Sequence, residues 1–261
     1  MTSETILLIG RDTDGLAALL ETHASRLRER TDVESVTVAT YEDEPVRELT
    51  PQLDSVTAET VYAVPMVAAH TRDTTTEIPA ALSAVSGTVH YCEPLGQSPA
   101  ITDVLAQRAA TEVTPGEDAS LVLVSFGSSS KPYQRQTTDY HASRLEAQSA
   151  YDSVLTCYLL QNPAVECVRY NVPTSDAVAV PLFLGRSEVT ERRIPAALEL
   201  DRGGIAYADP LLDHSGVTDA IAAEIEKQRT LAGSAEPVSS FEATLTETQR
   251  PVATDGDGRF R

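Results

Sequence analysis

The sequence predicts an α/β protein of two tandem similar units, each a parallel sheet of about four strands flanked by helices. Two observations carry this expectation. Short blocks of sequence recur at a constant spacing, and continuous apolar runs of strand length alternate with amphipathic stretches of helix length.

The repeat is read directly from the chain. Val-Tyr-Ala-Val-Pro-Met-Val at 61–67 matches Ala-Val-Ala-Val-Pro-Leu-Phe at 177–183, so Pro65 and Pro181 stand 116 residues apart (181 − 65). Ile-Pro-Ala-Ala-Leu occurs at 78–82 and again at 194–198, the same offset (194 − 78 = 116). Tyr91-Cys92-Glu93-Pro94-Leu95 aligns with Tyr207-Ala208-Asp209-Pro210-Leu211, and Ile101-Thr102-Asp103 with Val217-Thr218-Asp219, each again 116 apart. His-Ala-Ser-Arg-Leu recurs near the start of each half, at 23–27 and 141–145, at the slightly different offset of 118 (141 − 23). Ordered matches at one spacing identify an internal duplication.

Within the first unit, Thr-Ile-Leu-Leu-Ile-Gly at 5–10 reads as a buried strand ending at Gly10, followed by a helix from about 13 to 30. A strand at 34–39 follows, then a helix over 43–54 with Pro51 as a candidate interruption. A strand at 61–67, a helix near 75–85, a strand at 87–92 and a helix at 99–111 complete the unit. Apolar strands alternating with helices indicate a parallel sheet covered on both faces. The second unit is expected to place its strands at 120–126, 165–172, 177–184 and 204–208, with a longer helical segment at 134–161. On this reading 173–176 leave no room for a helix between the second and third strands. Thr114-Pro115-Gly116-Glu117-Asp118 is the expected linker, giving units at 1–115 and 116–232 and a disordered tail at 233–261, where Gly, Ser, Thr, Pro and charge predominate.

Composition limits the function classes. Thirty-nine acidic residues against 20 basic ones give a net charge of −19, and Lys131 and Lys227 are the only lysines. Phosphate would be repelled by such a surface, which argues against nucleic-acid binding. Acid excess with little lysine resembles proteins of salt-filled cytoplasm, where a Debye length of about 3 Å at molar salt screens self-repulsion. No run approaches the ~18 apolar residues of a membrane span, and the start Met-Thr-Ser-Glu-Thr-Ile-Leu-Leu-Ile-Gly lacks a leader pattern. A cytoplasmic protein without membrane contact is therefore expected. Cys92, Cys157 and Cys167 form no C-x-x-C pair and are expected to be reduced and structural.

In an open parallel sheet, ligands bind beyond the carboxyl ends of the strands. That rule selects Gly10-Arg11-Asp12-Thr13, Ala68-Ala69-His70-Thr71-Arg72-Asp73 and Cys92-Glu93-Pro94 in the first unit. In the second it selects Phe126-Gly127-Ser128-Ser129-Ser130-Lys131, Gly185-Arg186-Ser187-Glu188 and Ala208-Asp209-Pro210. A neutral imidazole such as His70 binds a borderline divalent metal and accepts a proton; the plain alternative is a surface-loop histidine without a role. The Gly127–Lys131 turn, with free backbone N–H groups, hydroxyls and a lysine, suits a carboxylate or phosphate, or is an ordinary strand-to-helix turn. It lacks P-loop spacing, so nucleotide hydrolysis is excluded, and no G-x-S-x-G elbow or zinc-finger spacing occurs. The repeated His23 and His141 read as packing residues, His90 as packed within its strand and His214 as a helix cap.

A strand ending in Gly10, the two Val-Pro strands, a polar loop leading to Ile-Pro-Ala-Ala-Leu and a closing acid-Pro-Leu together resemble the CbiX-type class II chelatases, in their long two-unit form. The resemblance covers about 1–230 and implies a bilobal fold with a cleft between the carboxyl edges of the two sheets. It implies insertion of Co2+ into sirohydrochlorin for cobalamin synthesis without ATP, with iron insertion for siroheme as the rival. No permanently bound cofactor is implied; the divalent metal is a substrate and the tetrapyrrole the partner. Two histidines serve the family. His70 holds the position after the third strand and is implied as base and metal ligand. Arg11 holds the position after the first strand; arginine is neither base nor ligand at neutral pH but grips carboxylates. Glu93 and His90 are the candidate replacements for the missing histidine, with His90 the one read as packed within its strand, and Arg11, Arg72, Ser128, Lys131 and Arg186 are the implied contacts to substrate carboxylates. A non-catalytic metal or tetrapyrrole binder is the alternative outside enzymes.

Overall fold

The computed structural model describes residues 3–13 and 15–233. Of the expected tail at 233–261, only Gly233 falls among the described residues, where it closes the last described helix; the rest lies outside them. Among the described residues, eight strands and eight α-helices are distributed equally between two halves. The first half runs β1 (Glu4–Arg11), α1 (Leu16–Arg30), β2 (Ser35–Tyr41), α2 (Pro45–Leu53), β3 (Thr60–Pro65), α3 (Ile78–Leu82), β4 (Thr88–Tyr91) and α4 (Pro99–Glu112). The second runs β5 (Ala119–Ser125), α5 (Tyr133–Gln148), β6 (Ser153–Tyr158), α6 (Val165–Val168), β7 (Asp176–Pro181), α7 (Ile194–Ala197), β8 (Ala206–Tyr207) and α8 (Ser215–Gly233).

Each half forms a four-stranded, wholly parallel sheet, in the orders β2-β1-β3-β4 and β6-β5-β7-β8. The registers coincide: Ile9 faces Pro65 and Val124 faces Pro181. Both prolines sit at the last position of their strand, and the ladder continues through the next residue, Met66 N–H to Ile9 O at 2.7 Å and Leu182 N–H to Val124 O at 2.8 Å. A residue without an N–H is tolerated where the strand is ending.

The structure corrects the expected second half in one place. Its second strand is Ser153–Tyr158, not 165–172, and Val165–Val168 is a short helix. Ser-Val-Leu-Thr-Cys-Tyr is rich in β-branched and aromatic residues and pairs along the whole length of Ser120–Ser125. In Val-Glu-Cys-Val the two valines, three apart and both buried, define one helical face. A helix therefore does separate the second and third strands, and the segment 134–161 divides into α5 and β6. Pro51 lies inside α2 without ending it. Its ring is exposed and it removes a single ladder bond.

Five layers result. One outer core packs α2 and α3 on the first sheet through Leu7, Ile9, Leu49, Ala63 and Ile78. The other packs α6 and α7 on the second through Val122, Val124, Val165, Ala179 and Ile194. Between the sheets a single continuous core joins Ile6, Leu8, Tyr62 and Val64 of one to Leu121, Leu123, Val178 and Val180 of the other, through α1, α4, α5 and α8. The terminal helices are exchanged across this core: α4 packs on β7 and α5, whereas α8 packs on β3 and α1.

The repeated histidines fasten that exchange. His23 Nε2 donates to Leu212 O at 3.0 Å and its Nδ1 meets Thr218 Oγ1 at 2.9 Å. His141 Nε2 donates to Gly96 O at 2.6 Å and its Nδ1 meets Thr102 Oγ1 at 2.9 Å. Each ring is thus pinned between a helix and a loop of the opposite half. Burial lowers the pKa of both. Gly96 admits no side chain, because a Cβ there would lie 2.2 Å from Ala68 O. His214 Nδ1 accepts Gly216 N–H at 3.1 Å, capping α8, and His90 stacks on Tyr62 with ring centroids 5.2 Å apart. Cys92 and Cys157 are buried, with burial pushing both thiols up to about 12, and Cys167 is exposed.

Candidate functional site

The carboxyl ends of β1, β3, β5 and β7 face one another across the cleft between the sheets, and the loops leaving them carry the candidate residues. After β3 the chain makes a tight turn at 66–72, then one π-helical turn, Asp73–Glu77, ahead of α3. The second half repeats this with Val189–Arg193 ahead of α7. A buried threonine secures each turn: Thr71 N–H donates to Thr74 Oγ1 at 2.9 Å, and Ser187 N–H to Thr190 Oγ1 at 2.9 Å. A tyrosine from the neighbouring strand locks each from outside, Tyr91 Oη to Thr74 O and Tyr207 Oη to Thr190 O, both at 2.8 Å.

Because β4 lies beside β3, the residue that follows β4 reaches the turn that follows β3. His70 Nε2 lies 3.0 Å from Glu93 Oε2, and His70 Nδ1 lies 3.2 Å from Thr74 Oγ1. The His70 ring meets Tyr133 edge-on, with centroids 5.6 Å apart. It lines a cavity of about 530 Å³ with Gln97, Tyr133, Gln136, Thr137 and Tyr140. At the matching positions of the second half stand Arg186 and Asp209, joined at 2.7 Å. One half thus carries an imidazole–carboxylate pair where the other carries a guanidinium–carboxylate pair.

A second cavity of about 240 Å³ lies between the halves, with Leu16, Met66, Phe126, Leu182 and Phe183 among its apolar walls and Arg11 and Arg186 among its lining. Arg11 is held by Asp43 Oδ1 at 2.6 Å and by Glu42 O at 2.6 Å. Its guanidinium remains half exposed. The two arginines therefore share one cavity and His70 lines its neighbour. Arg72, Ser128 and Lys131 line neither. Arg72 pairs with Glu77 at 3.2 Å, and Lys131 is exposed.

The Gly127–Lys131 turn differs from expectation. Its N–H groups are largely committed: Gly127 to Gln134 Oε1, Ser128 to Gln161 Oε1, and Ser130 and Lys131 to Ser128 Oγ. A chain turning this sharply satisfies its own donors when side chains with free acceptors lie within reach. Among the described residues, no three of His, Cys, Asp and Glu converge as a metal cage.

The CbiX family profile matches residues 6–112 and, a second time, residues 120–228. The chain belongs to the CbiX family. A Halobacterium salinarum protein named "Probable sirohydrochlorin cobaltochelatase" is 26% identical over 202 residues, which cover 67% of this chain and 68% of that one. DR2241 of Deinococcus radiodurans, a multi-domain protein with structural similarity to chelatases and two additional domains, superposes with a TM-score of 0.73 at 21% identity. That match covers 86% of this CbiX chain and 55% of the DR2241 chain. SirB from Bacillus subtilis, crystallised with Fe3+, superposes with a TM-score of 0.69 at 18% identity, covering 87% of this chain and 95% of that one. At these identities the two structures show a common fold.

Several residues in and around the candidate site escaped sequence reasoning. Asp43, which holds Arg11, carries no local motif; Asp209 lies in a segment that the sequence selected and at the repeat offset from Glu93 (209 − 93 = 116), but its pairing with Arg186 was not read. Thr74 and Thr190 share that offset and could have been found by it. Tyr133 and Tyr140 stand one helical heptad apart at the start of α5, a spacing that places both on one face.

Proposed function

We propose that this CbiX protein is a chelatase that inserts Co2+ into sirohydrochlorin. The observation that carries the reading is the His70–Glu93 pair, an imidazole nitrogen and a carboxylate oxygen 3.0 Å apart, opening on a cavity walled by Tyr133 and Tyr140. A cavity of about 530 Å³ is in the usual range for small-ligand sites, and tyrosine rings suit the flat π-system of a tetrapyrrole. Metal insertion expels two pyrrole N–H protons. His70 would accept one as the metal passes from its Nε2 to the macrocycle, the other would leave to solvent, and Glu93 would stabilise the cation before transfer and the imidazolium after it. Arg11 and Arg186, steadied by Asp43 and Asp209, would hold carboxylates of the substrate by paired hydrogen bonds. Lys131 and Arg72 supply further exposed positive charge, and Ser128 braces the loop that carries Lys131.

Iron insertion for siroheme synthesis uses the same residues, since imidazole and carboxylate accept Co2+ and Fe2+ alike. A second reading, a non-catalytic tetrapyrrole carrier, draws on Arg11, a permanent cation tied to Asp43 where the family resemblance expects a histidine. One experiment separates the three. Purified protein is mixed with sirohydrochlorin and either Co2+ or Fe2+ at high salt, and the absorption spectrum is followed. Faster metallation with Co2+ supports the proposal, and faster metallation with Fe2+ supports the siroheme branch. A spectral shift on binding with no metallation by either metal leaves the carrier reading.

A further inference from the structure

Hydrogen-bond counting at His70 assigns a role to Thr74. Thr74 is almost fully buried, and its hydroxyl carries one hydrogen and two lone pairs. It accepts Thr71 N–H at 2.9 Å and lies 3.1 Å from Thr71 O, to which it donates. One lone pair remains, and His70 Nδ1 stands 3.2 Å from the oxygen that carries it. The second half shows that this donation belongs to the turn rather than to the ring. Thr190 Oγ1 receives Ser187 N–H and donates to Ser187 O at 3.2 Å, although Arg186 stands there in place of a histidine. With the hydroxyl hydrogen on the carbonyl, Thr74 meets His70 Nδ1 as an acceptor. The ring is then the Nδ1–H tautomer, and its lone pair is on Nε2, directed at Glu93 Oε2.

Two acceptors 3.0 Å apart are unfavourable unless a cation lies between or beside them. We propose that Thr74 is a positioning residue, the acceptor that holds the His70 Nδ1–H and so makes Nε2, together with the Glu93 carboxylate, the landing place of the divalent metal. A proton resting on Nε2 leaves to solvent as the metal arrives, and the ring keeps its Nδ1–H throughout. Without the Thr74 acceptor, the favoured neutral ring places its hydrogen on Nε2, bonded to Glu93, and buries the lone pair on Nδ1. Outer partners of this kind change metal affinity by roughly 10–100-fold. The inference deepens the chelatase reading and rests on it for the identity of the metal.

The repeat supplies its own control. Thr74→Val and Thr190→Val remove the same turn-forming hydroxyl from equivalent, equally buried places, but only the first faces an imidazole. Co2+ binding is titrated by its visible absorption at high salt. Proton spectra are recorded in parallel for a strongly shifted, exchangeable ring N–H, the signature of an imidazole bound to Co2+ through its other nitrogen. The expected result is that T74V weakens Co2+ binding about 10–100-fold and abolishes the shifted N–H. T74S restores both, and T190V loses as much thermal stability as T74V while binding Co2+ like the unmutated protein. Equal loss of Co2+ affinity in T74V and T190V would reduce Thr74 to a fold residue and overturn the proposal. So would unmutated protein that binds no Co2+ or shows no shifted ring N–H, a measurement that needs no variant to fold. Normal, Thr74-dependent Co2+ binding in a protein that metallates no tetrapyrrole would instead defeat the chelatase reading and leave this inference standing.

Discussion

His70 and Glu93 come from adjacent strands, 23 residues apart in sequence, and meet only because β4 lies next to β3. If the pair handles the proton and the metal, His70→Ala should slow metallation by roughly 10²–10⁴-fold, the usual worth of a positioned base. Glu93→Gln should give a loss of similar order, and tetrapyrrole binding, judged by the spectral shift without metal, should survive both. Full activity of His70→Ala would remove the ring from the reaction. The other paired histidines make a different prediction. Burial lowers the pKa of His23 and His141 below the ordinary imidazole value of about 6.5, so as pH falls through that value the unfolded chain takes up protons that the native rings refuse. Their contribution is therefore complete above pH 6.5 and declines toward each folded pKa. The thermal midpoint should drop between pH 7.5 and 5, and the drop should shrink when both are replaced by Gln. An unchanged slope in the double variant would assign the acid sensitivity to other groups. His70 was legible from the sequence because it follows a strand that ends in proline. Thr74, which addresses its far nitrogen, lay in a polar run of three threonines where the repeat offset to Thr190 marks out the first, but that offset says nothing of the contact to His70.

Among the elements, the exchanged helices α4 and α8 contribute most to the shared core. Leu105 and Ile221 occupy equivalent positions on them and are both fully buried. Leu105→Ala and Ile221→Ala should each cost about 2–5 kcal/mol. Because one apolar cluster joins the sheets, denaturant unfolding should stay a single transition when followed by probes in either half. Two separated transitions would show that the halves fold independently. The elements themselves were largely readable. Continuous apolar runs located seven of the eight strands, and the constant offset announced two similar sheets. The exception, β6, is short, mixes polar with apolar residues and is only partly buried along most of its length as an edge strand. It sits inside a stretch whose polar neighbours read as helix, while Val165–Val168 offered a more apolar decoy. The exchange of α4 and α8 left no trace in the pattern, since a helix stripe records that it is covered, not by which sheet.

For the molecule as a whole, charge and connectivity govern behaviour. A net charge of −19 opposes the compact state at low ionic strength. The ion pairs on the surface, such as Arg30–Asp219 and Arg47–Glu44, contribute little each. The thermal midpoint should rise between low and molar KCl as self-repulsion is screened, and a flat or falling profile would discard the high-salt adaptation. Connectivity has a consequence for how the protein is made. When synthesis has passed residue 115, the first sheet is complete but the helix that covers the inner face of β3 is still a hundred residues away, and His23 waits for Thr218, 195 positions downstream. Contacts of such separation are slow to form. The nascent chain therefore presents Tyr62 and Val64 uncovered for several seconds at ordinary elongation rates of about 5–20 residues per second. During that interval α4, already translated, has no second sheet to cover and is free to shield the first in a non-native way. Helix α8, translated after α4, then has to displace any such arrangement before the core shared by the two sheets can close.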